Sequence, residues 1–158
     1  MWKKIKPYVI SVLIALLVGG ISAFLTKDNM NIYKDIARPP LSPPMKLFPI
    51  VWSVLFVLMG ISSAMVYKSK DADRTDVKKA LTLYGIQLFV NFLWSIIFFN
   101  MRAYLFAFIW LVLLWVLIIA MIFKFKKIST AAAVLQIPYL LWVTFAGYLT
   151  LAIYLLNK

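Results

Sequence analysis

The chain contains no cysteine, no histidine and no glutamate. That removes zinc and haem-iron ligation by His or Cys, thiol nucleophiles and imidazole acid–base chemistry. The only carboxylate side chains are Asp28, Asp35, Asp71, Asp73 and Asp76. All five lie outside the long apolar stretches, so no carboxylate sits where a proton relay through a bilayer would need one. Hydrolase and carboxylate-driven pump readings lose most of their ground. Charge of either sign is scarce: 14% of residues are charged, while 65% are hydrophobic and mean hydropathy is +0.94. No internal repeat and no low-complexity segment is visible.

What is present is apolar length. Stretches without any charge run from Pro7 to Thr26, Leu47 to Tyr67, Ala80 to Met101, Ala103 to Phe123 and Ile128 to Asn157. Each is at least about 20 residues, enough for a helix to cross a bilayer. The sequence therefore predicts one all-α integral membrane domain over residues 1–158. Its spans are expected near 7–26, 47–67, 80–101, 103–123 and 128–157. Lys3, Lys4 and Lys6 precede the first stretch, as in a signal peptide, but the stretch is longer than the usual apolar region of about 7–15 residues. It reads as a retained span.

The net charge of +12 comes from 17 Lys and Arg against those five Asp. In a soluble chain this would suggest nucleic acid. Here the cations sit between spans, so they speak to orientation and no nucleic-acid partner is expected. Eleven lie at the N-terminus and in the 68–79 and 124–127 loops; six lie on the other side. The positive-inside rule places the N-terminus inside a bacterial plasma membrane, with the 27–46 loop outside.

That loop is the stiffest part of the chain. Five of seven prolines fall between Tyr33 and Trp52: Pro39, Pro40, Pro43, Pro44 and Pro49. Each proline fixes φ and pushes the preceding residue out of the helical region, so Arg38 to Pro44 is extended. An extended segment cannot lie in lipid with its carbonyls unpaired. It is predicted to fold over the mouth of the bundle as a lid, after a short amphipathic turn from Ile32 to Ala37 capped by Asp28 or Asn29.

Polar residues inside the spans are few and grouped. Tyr84, Gln87, Asn91 and Ser95 share about a quarter of the third helix, with Trp94 beside them. Amides at that depth face the bundle interior. Thr75 or Asp76 is placed to cap this helix. Asn100, Met101 and Arg102 leave almost no loop, making spans 3 and 4 an antiparallel hairpin. Span 4 has no Ser, Thr, Asn or Gln and reads as facing lipid or a second copy. Pro138 should kink span 5. Span 1 carries Ser11, Ala15, Gly19 and Ala23 at four-residue spacing, a small-residue face for packing within the chain or for a homodimer seam.

Four blocks carry a family resemblance: Tyr33 to Pro44 (YKDIARPPLSPP), Phe48 to Trp52 (FPIVW) with Met59-Gly60, Gln87 to Phe99 (QLFVNFLWSIIFF) and Pro138 to Leu149 (PYLLWVTFAGYL). In this order across five spans they resemble the TspO/MBR family. The resemblance implies a five-helix bundle with the first loop capping a ligand pocket. It implies binding of porphyrins such as protoporphyrin IX, of sterols in some members, and of isoquinoline-carboxamide or benzodiazepine-type molecules, often in a homodimer. Light-dependent porphyrin degradation in bacterial members would fall to Trp52 and Trp142, with no required cofactor. Carried over by motif, Phe56, Gln87, Asn91, Trp94 and Ala146 join them as ligand contacts. Arg38, Pro43, Pro44 and Phe145 complete the candidate set. Leu41 stands where the family's lid motif usually has tryptophan, and Thr150 where it usually has asparagine. Leu151, Tyr154 and Lys158 loosely fit a cholesterol-type pattern.

Each candidate has an ordinary reading beside the functional one. Trp52 and Trp142 could be packing or interfacial tryptophans. Gln87 and Asn91 could be interhelical glue. Arg38 could be solvated, or could pair with a porphyrin propionate through its guanidinium fork. The rival function is a small transporter of porphyrin or sterol-like molecules, against which stand the short chain, uncharged spans and lack of an inverted repeat. A third is a regulatory membrane partner acting through the 68–79 loop.

Overall fold

The computed structural model describes all 158 residues. It is helical throughout: α1 (Trp2–Thr26), α2 (Ile32–Asp35), α3 (Leu47–Lys68), α4 (Arg74–Ser95) continuing into a π-helical turn (Ile96–Asn100), α5 (Tyr104–Ile128), α6 (Thr130–Leu135) and α7 (Ile137–Asn157). Five helical runs are long and apolar enough to cross a membrane: α1, α3, α4 with its π turn, α5, and α6 with α7. The protein is a multi-pass membrane protein.

α1 and α3 approach closely, because small residues let the backbones come together. Ala15 is fully buried, and the Ser11 and Ser63 hydroxyls meet at 2.6 Å. A Cβ on Gly60 would lie 2.5 Å from the Val12 Cα, so only glycine fits. Ser11, Ala15 and Gly19 of the small-residue face of span 1 are therefore taken up within the chain, while Ala23 is exposed.

α4 and α5 form the expected hairpin, turned at Arg102 with φ +52°. The Trp110 indole donates to the Val90 carbonyl across it at 2.7 Å. Expectation and structure part at several places. The cap of α4 is Asp73, whose side chain accepts from the Thr75 N–H at 2.9 Å, rather than Thr75 or Asp76. α2 is a single turn with no side-chain cap, and Asn29 instead reaches Asn100 at 2.7 Å. The 124–127 segment is not a loop: its lysines extend α5, and Ser129 alone joins α5 to α6, capping α6 through the Ala132 N–H. Lys126 and Lys127 gain there from the negative helix C-terminus. Span 4 does not face outward only, since Ala107, Leu111, Leu114, Ile118, Met121 and Phe125 are buried along α5.

The predicted kink is a break at Gln136 between α6 and α7, with Pro138 in the first turn of α7. α3 packs along α6 but scarcely touches α7. The two helices splay toward the lid, and aromatic rings bridge the gap.

Candidate functional site

That gap opens into an apolar chamber of ≈ 130 Å³ beneath the 27–46 loop. α1 contributes Gly19 and Ser22, and α3 contributes Phe48, Trp52 and Phe56. α4 and its π turn supply Asn91, Trp94 and Phe98, and α7 supplies Trp142, Ala146 and Thr150. Rings span the α3–α7 gap in two rungs. Phe48 meets Trp142 at 5.9 Å between centroids, and Trp52 meets Tyr139 at 6.2 Å, both edge-on. Edge-to-face pairs of this kind are favoured by the ring quadrupole. Trp94 stacks on Phe98 at 5.2 Å, and its buried indole N–H has no partner.

The floor is polar. The Asn91 amide donates to the Tyr139 hydroxyl at 2.7 Å, which donates to the Gln87 carbonyl oxygen at 2.6 Å. One hydroxyl thus bridges two amides on the same face of α4. The Asn91 Oδ1 accepts no bond from within the chain and is left to the chamber.

The lid closes the other end. Met30, Tyr33 and Met45 line the chamber from above. Tyr33 is buried and donates to the Pro43 carbonyl at 2.9 Å, holding the proline run over the mouth. α7 holds the same run from its far end. The Asn157 side chain accepts from the Ala37 N–H at 3.0 Å and donates to the Ala37 carbonyl at 2.8 Å. Tyr148 donates to the Pro40 carbonyl at 2.8 Å. The extended backbone forced by the prolines leaves these carbonyls free, and these side chains pair them.

Of the residues singled out in the sequence, Trp52, Phe56, Asn91, Trp94, Trp142 and Ala146 come together on the chamber wall. Gln87 lies one layer below, behind Tyr139. Pro43 is buried in the lid and Pro44 is exposed; neither reaches the chamber lining. Arg38 is exposed, with its guanidinium 4.8 Å from the Tyr33 ring centroid. Phe145 lies between the Trp142 and Tyr148 rings, tilted to both, outside the lining. Leu41 is 82% exposed, so the residue at the family's tryptophan position points away from the chamber. Thr150 lines the chamber but donates its hydroxyl to the Ala146 carbonyl. Sequence pattern gave no reason to choose Tyr33 as lining, Tyr139 as the floor, or Asn157 as a lid clamp. Each acts through one hydroxyl or amide on an otherwise ordinary position.

Comparison with known proteins agrees with this architecture. The family model described as TspO/MBR family matches residues 11–156. The "Tryptophan-rich protein TspO" of Chlorobaculum tepidum is 36% identical over 156 residues, covering 98% of this chain and 98% of that protein. The protein of the same name from Archaeoglobus fulgidus is 33% identical over 155 residues, 98% and 99% of the two chains. The "Translocator protein" of Bos taurus is 31% identical over 144 residues, 90% and 85%.

Proposed function

Because this chain belongs to the TspO/MBR family, we propose that it is a membrane receptor for flat hydrophobic ligands, with porphyrins such as protoporphyrin IX as the principal class. Isoquinoline-carboxamide, benzodiazepine-type and sterol-like molecules are further candidates of similar shape. The observation that carries the reading is the chamber itself: an indole-walled, lidded space with an amide floor. A planar macrocycle stacks on such walls for about 0.5–1.5 kcal/mol per ring pair beyond its buried area. A ligand donor that reaches the floor meets the free Asn91 oxygen, and a ligand acceptor meets the unpartnered Trp94 N–H. Its carboxylates reach Arg38 at the mouth.

The closed chamber is smaller than the roughly 300–1,000 Å³ usual for ligand pockets. A porphyrin therefore enters with movement of the lid and of the ring-bridged α3–α7 gap. For light-dependent degradation, dioxygen sensitised by the excited porphyrin is the oxidant; it adds to the macrocycle, which is oxidised and keeps both oxygen atoms, and the Trp52 and Trp142 indoles stand beside the reacting pair. No acid, base or cofactor is required, which suits this residue set. The transporter reading has against it the Asn91–Tyr139–Gln87 floor, which stops the chamber short of the opposite face. A homodimer is part of the proposal, with a seam that does not use Ser11 or Ala15, which pack against α3. The bias of eleven cations against six supports an N-terminus on the inner side of a bacterial plasma membrane.

The test is a protoporphyrin IX titration followed by tryptophan quenching in the wild type, Trp52→Phe and Trp142→Phe, with porphyrin absorbance followed under illumination. Weaker binding in both variants supports the site. Unchanged affinity in both removes it, and equal bleaching with and without protein removes the photochemical step. Saturable flux of porphyrin into protein-loaded liposomes would favour the transporter instead.

A further inference from the structure

Polar groups continue below the chamber floor. Tyr139 and Gln87 meet on α7 and α4, which run in the same direction. The residues three earlier on each run, Gln136 and Tyr84, stand one turn farther from the lid. Gln87 and Gln136 are fully buried, and Tyr84 is 8% exposed. Four polar atoms of this layer have no partner within the chain: the Tyr84 hydroxyl, the Gln87 Nε2, and both the Nε2 and Oε1 of Gln136. Neighbouring groups are paired. Ser63 lies beside the Tyr84 hydroxyl and bonds Ser11 and the Gly60 carbonyl. Ser62 donates to the Ala132 carbonyl, one turn before Gln136.

Buried polar atoms are nearly always hydrogen-bonded, so three unpartnered side chains on two successive turns of α4 and the α6–α7 run call for a partner from outside the chain. The set decides its chemistry. It offers amide donors from Gln87 and Gln136, one amide acceptor from Gln136, and a hydroxyl that does both. No charge is present, so neither a cation nor an anion is matched, and an apolar guest would leave every atom unpaired. Water donates twice and accepts twice, and a polar site with several partners holds it. We infer that the Tyr84–Gln87–Gln136 layer is a binding site for ordered water. The water completes a hydrogen-bonded chain from Asn91 through Tyr139 and Gln87 to Gln136 and Tyr84, whose hydroxyl stands beside the Ser63–Ser11 pair. The chamber floor is thereby linked to the N-terminal half of α1. A ligand group that draws the Asn91 amide away from Tyr139 rearranges the chain.

The test turns on a sign. Gln136→Leu removes two polar atoms at similar size. If the layer is dry, the variant melts higher than wild type, because unpaired groups have been deleted. If water bridges it, the variant melts lower by about 3 °C or more. Tyr84→Phe then costs less in that background than alone, as expected for members of one network. In parallel, the full chain with labelled glutamine amides in nanodiscs is examined by water-to-protein magnetisation transfer where amide exchange is slow. Cross peaks from water to the Gln87 and Gln136 side chains support the site. A raised, additive melting temperature or absent cross peaks in the wild type overturn it. The wild-type spectrum decides if Gln136→Leu does not fold.

Discussion

Gly60→Ala is the sharpest test of how this bundle is held together. Judged by helix preference alone, alanine in place of a mid-helix glycine should stabilise by about 1 kcal/mol. The packing says otherwise. The new Cβ would lie 2.5 Å from the Val12 Cα and 2.7 Å from its N, both backbone atoms that no rotamer change can move. Ordinary contact is 3.4–4 Å. α1 and α3 must therefore part by about 1 Å, which forfeits a quarter to a half of each dispersion contact along the seam. The Ser11–Ser63 bond, 2.6 Å long and one turn away, lengthens with it. Overpacking of this kind costs about 1–3 kcal/mol, more than the propensity gain. Gly20→Ala is the control, since nothing lies within 4 Å of its Cβ position. It should be neutral or stabilising by up to about 1 kcal/mol. Gly19→Ala falls between: its Cβ would overlap the Phe56 ring, a side chain that can swing, at the expense of the chamber wall. Thermal melts in detergent followed by intrinsic tryptophan emission rank the three. A Gly60→Ala variant as stable as wild type would refute the close-approach argument.

Four further outcomes follow from single contacts. Asn157→Ala removes both bonds to Ala37 and should raise hydrogen exchange across residues 36–44 without lowering the melting temperature by more than about 1 kcal/mol equivalent, because the pair is exposed. Unchanged exchange would mean that the clamp does not hold the lid. Ser62→Ala leaves the buried Ala132 carbonyl without its side-chain donor and should destabilise by about 0.5–2 kcal/mol in denaturant titration. Trp110→Phe loses the bond to Val90 and should cost about 1 kcal/mol or more in the same assay. Leu41→Gly relieves an exposed leucine held at φ +71° and should raise stability by about 1 kcal/mol; a loss would show that the leucine is held by contacts of its own.

The sequence carried the spans because a bilayer imposes a length and a composition that uncharged stretches display directly. It carried the lid because prolines dictate backbone whatever surrounds them. The arc of Tyr84, Gln87 and Asn91 was legible for a similar reason: amides cannot face lipid, so helical spacing fixes where they point. The helical continuation through Lys124 to Ile128 was not, since the lysines there signal a membrane boundary rather than the end of a helix. The family resemblance implies Gln87 as a chamber contact, yet Tyr139 comes between, because a ring from α7 reaches the same place. Arg38 and Phe145 sit within reach of the mouth, but side-chain direction in a proline loop or on a splayed helix is set by tertiary packing. Asn157 looks like the end of a span, and its grip on Ala37 depends on a contact 120 residues away in sequence.

The break at Gln136 has a consequence for how the molecule can swell. On one side α3 is locked to α1 by a glycine that leaves no room for give. On the other it faces α7 across nothing but the edges of rings. Any enlargement of the interior must therefore come from α7 swinging away above Gln136. The same stretch carries Tyr148 and Asn157, the two α7 side chains that hold the roof. Widening the room and lifting its ceiling are thus a single mechanical event, and a guest too large for the closed form unlatches its own door.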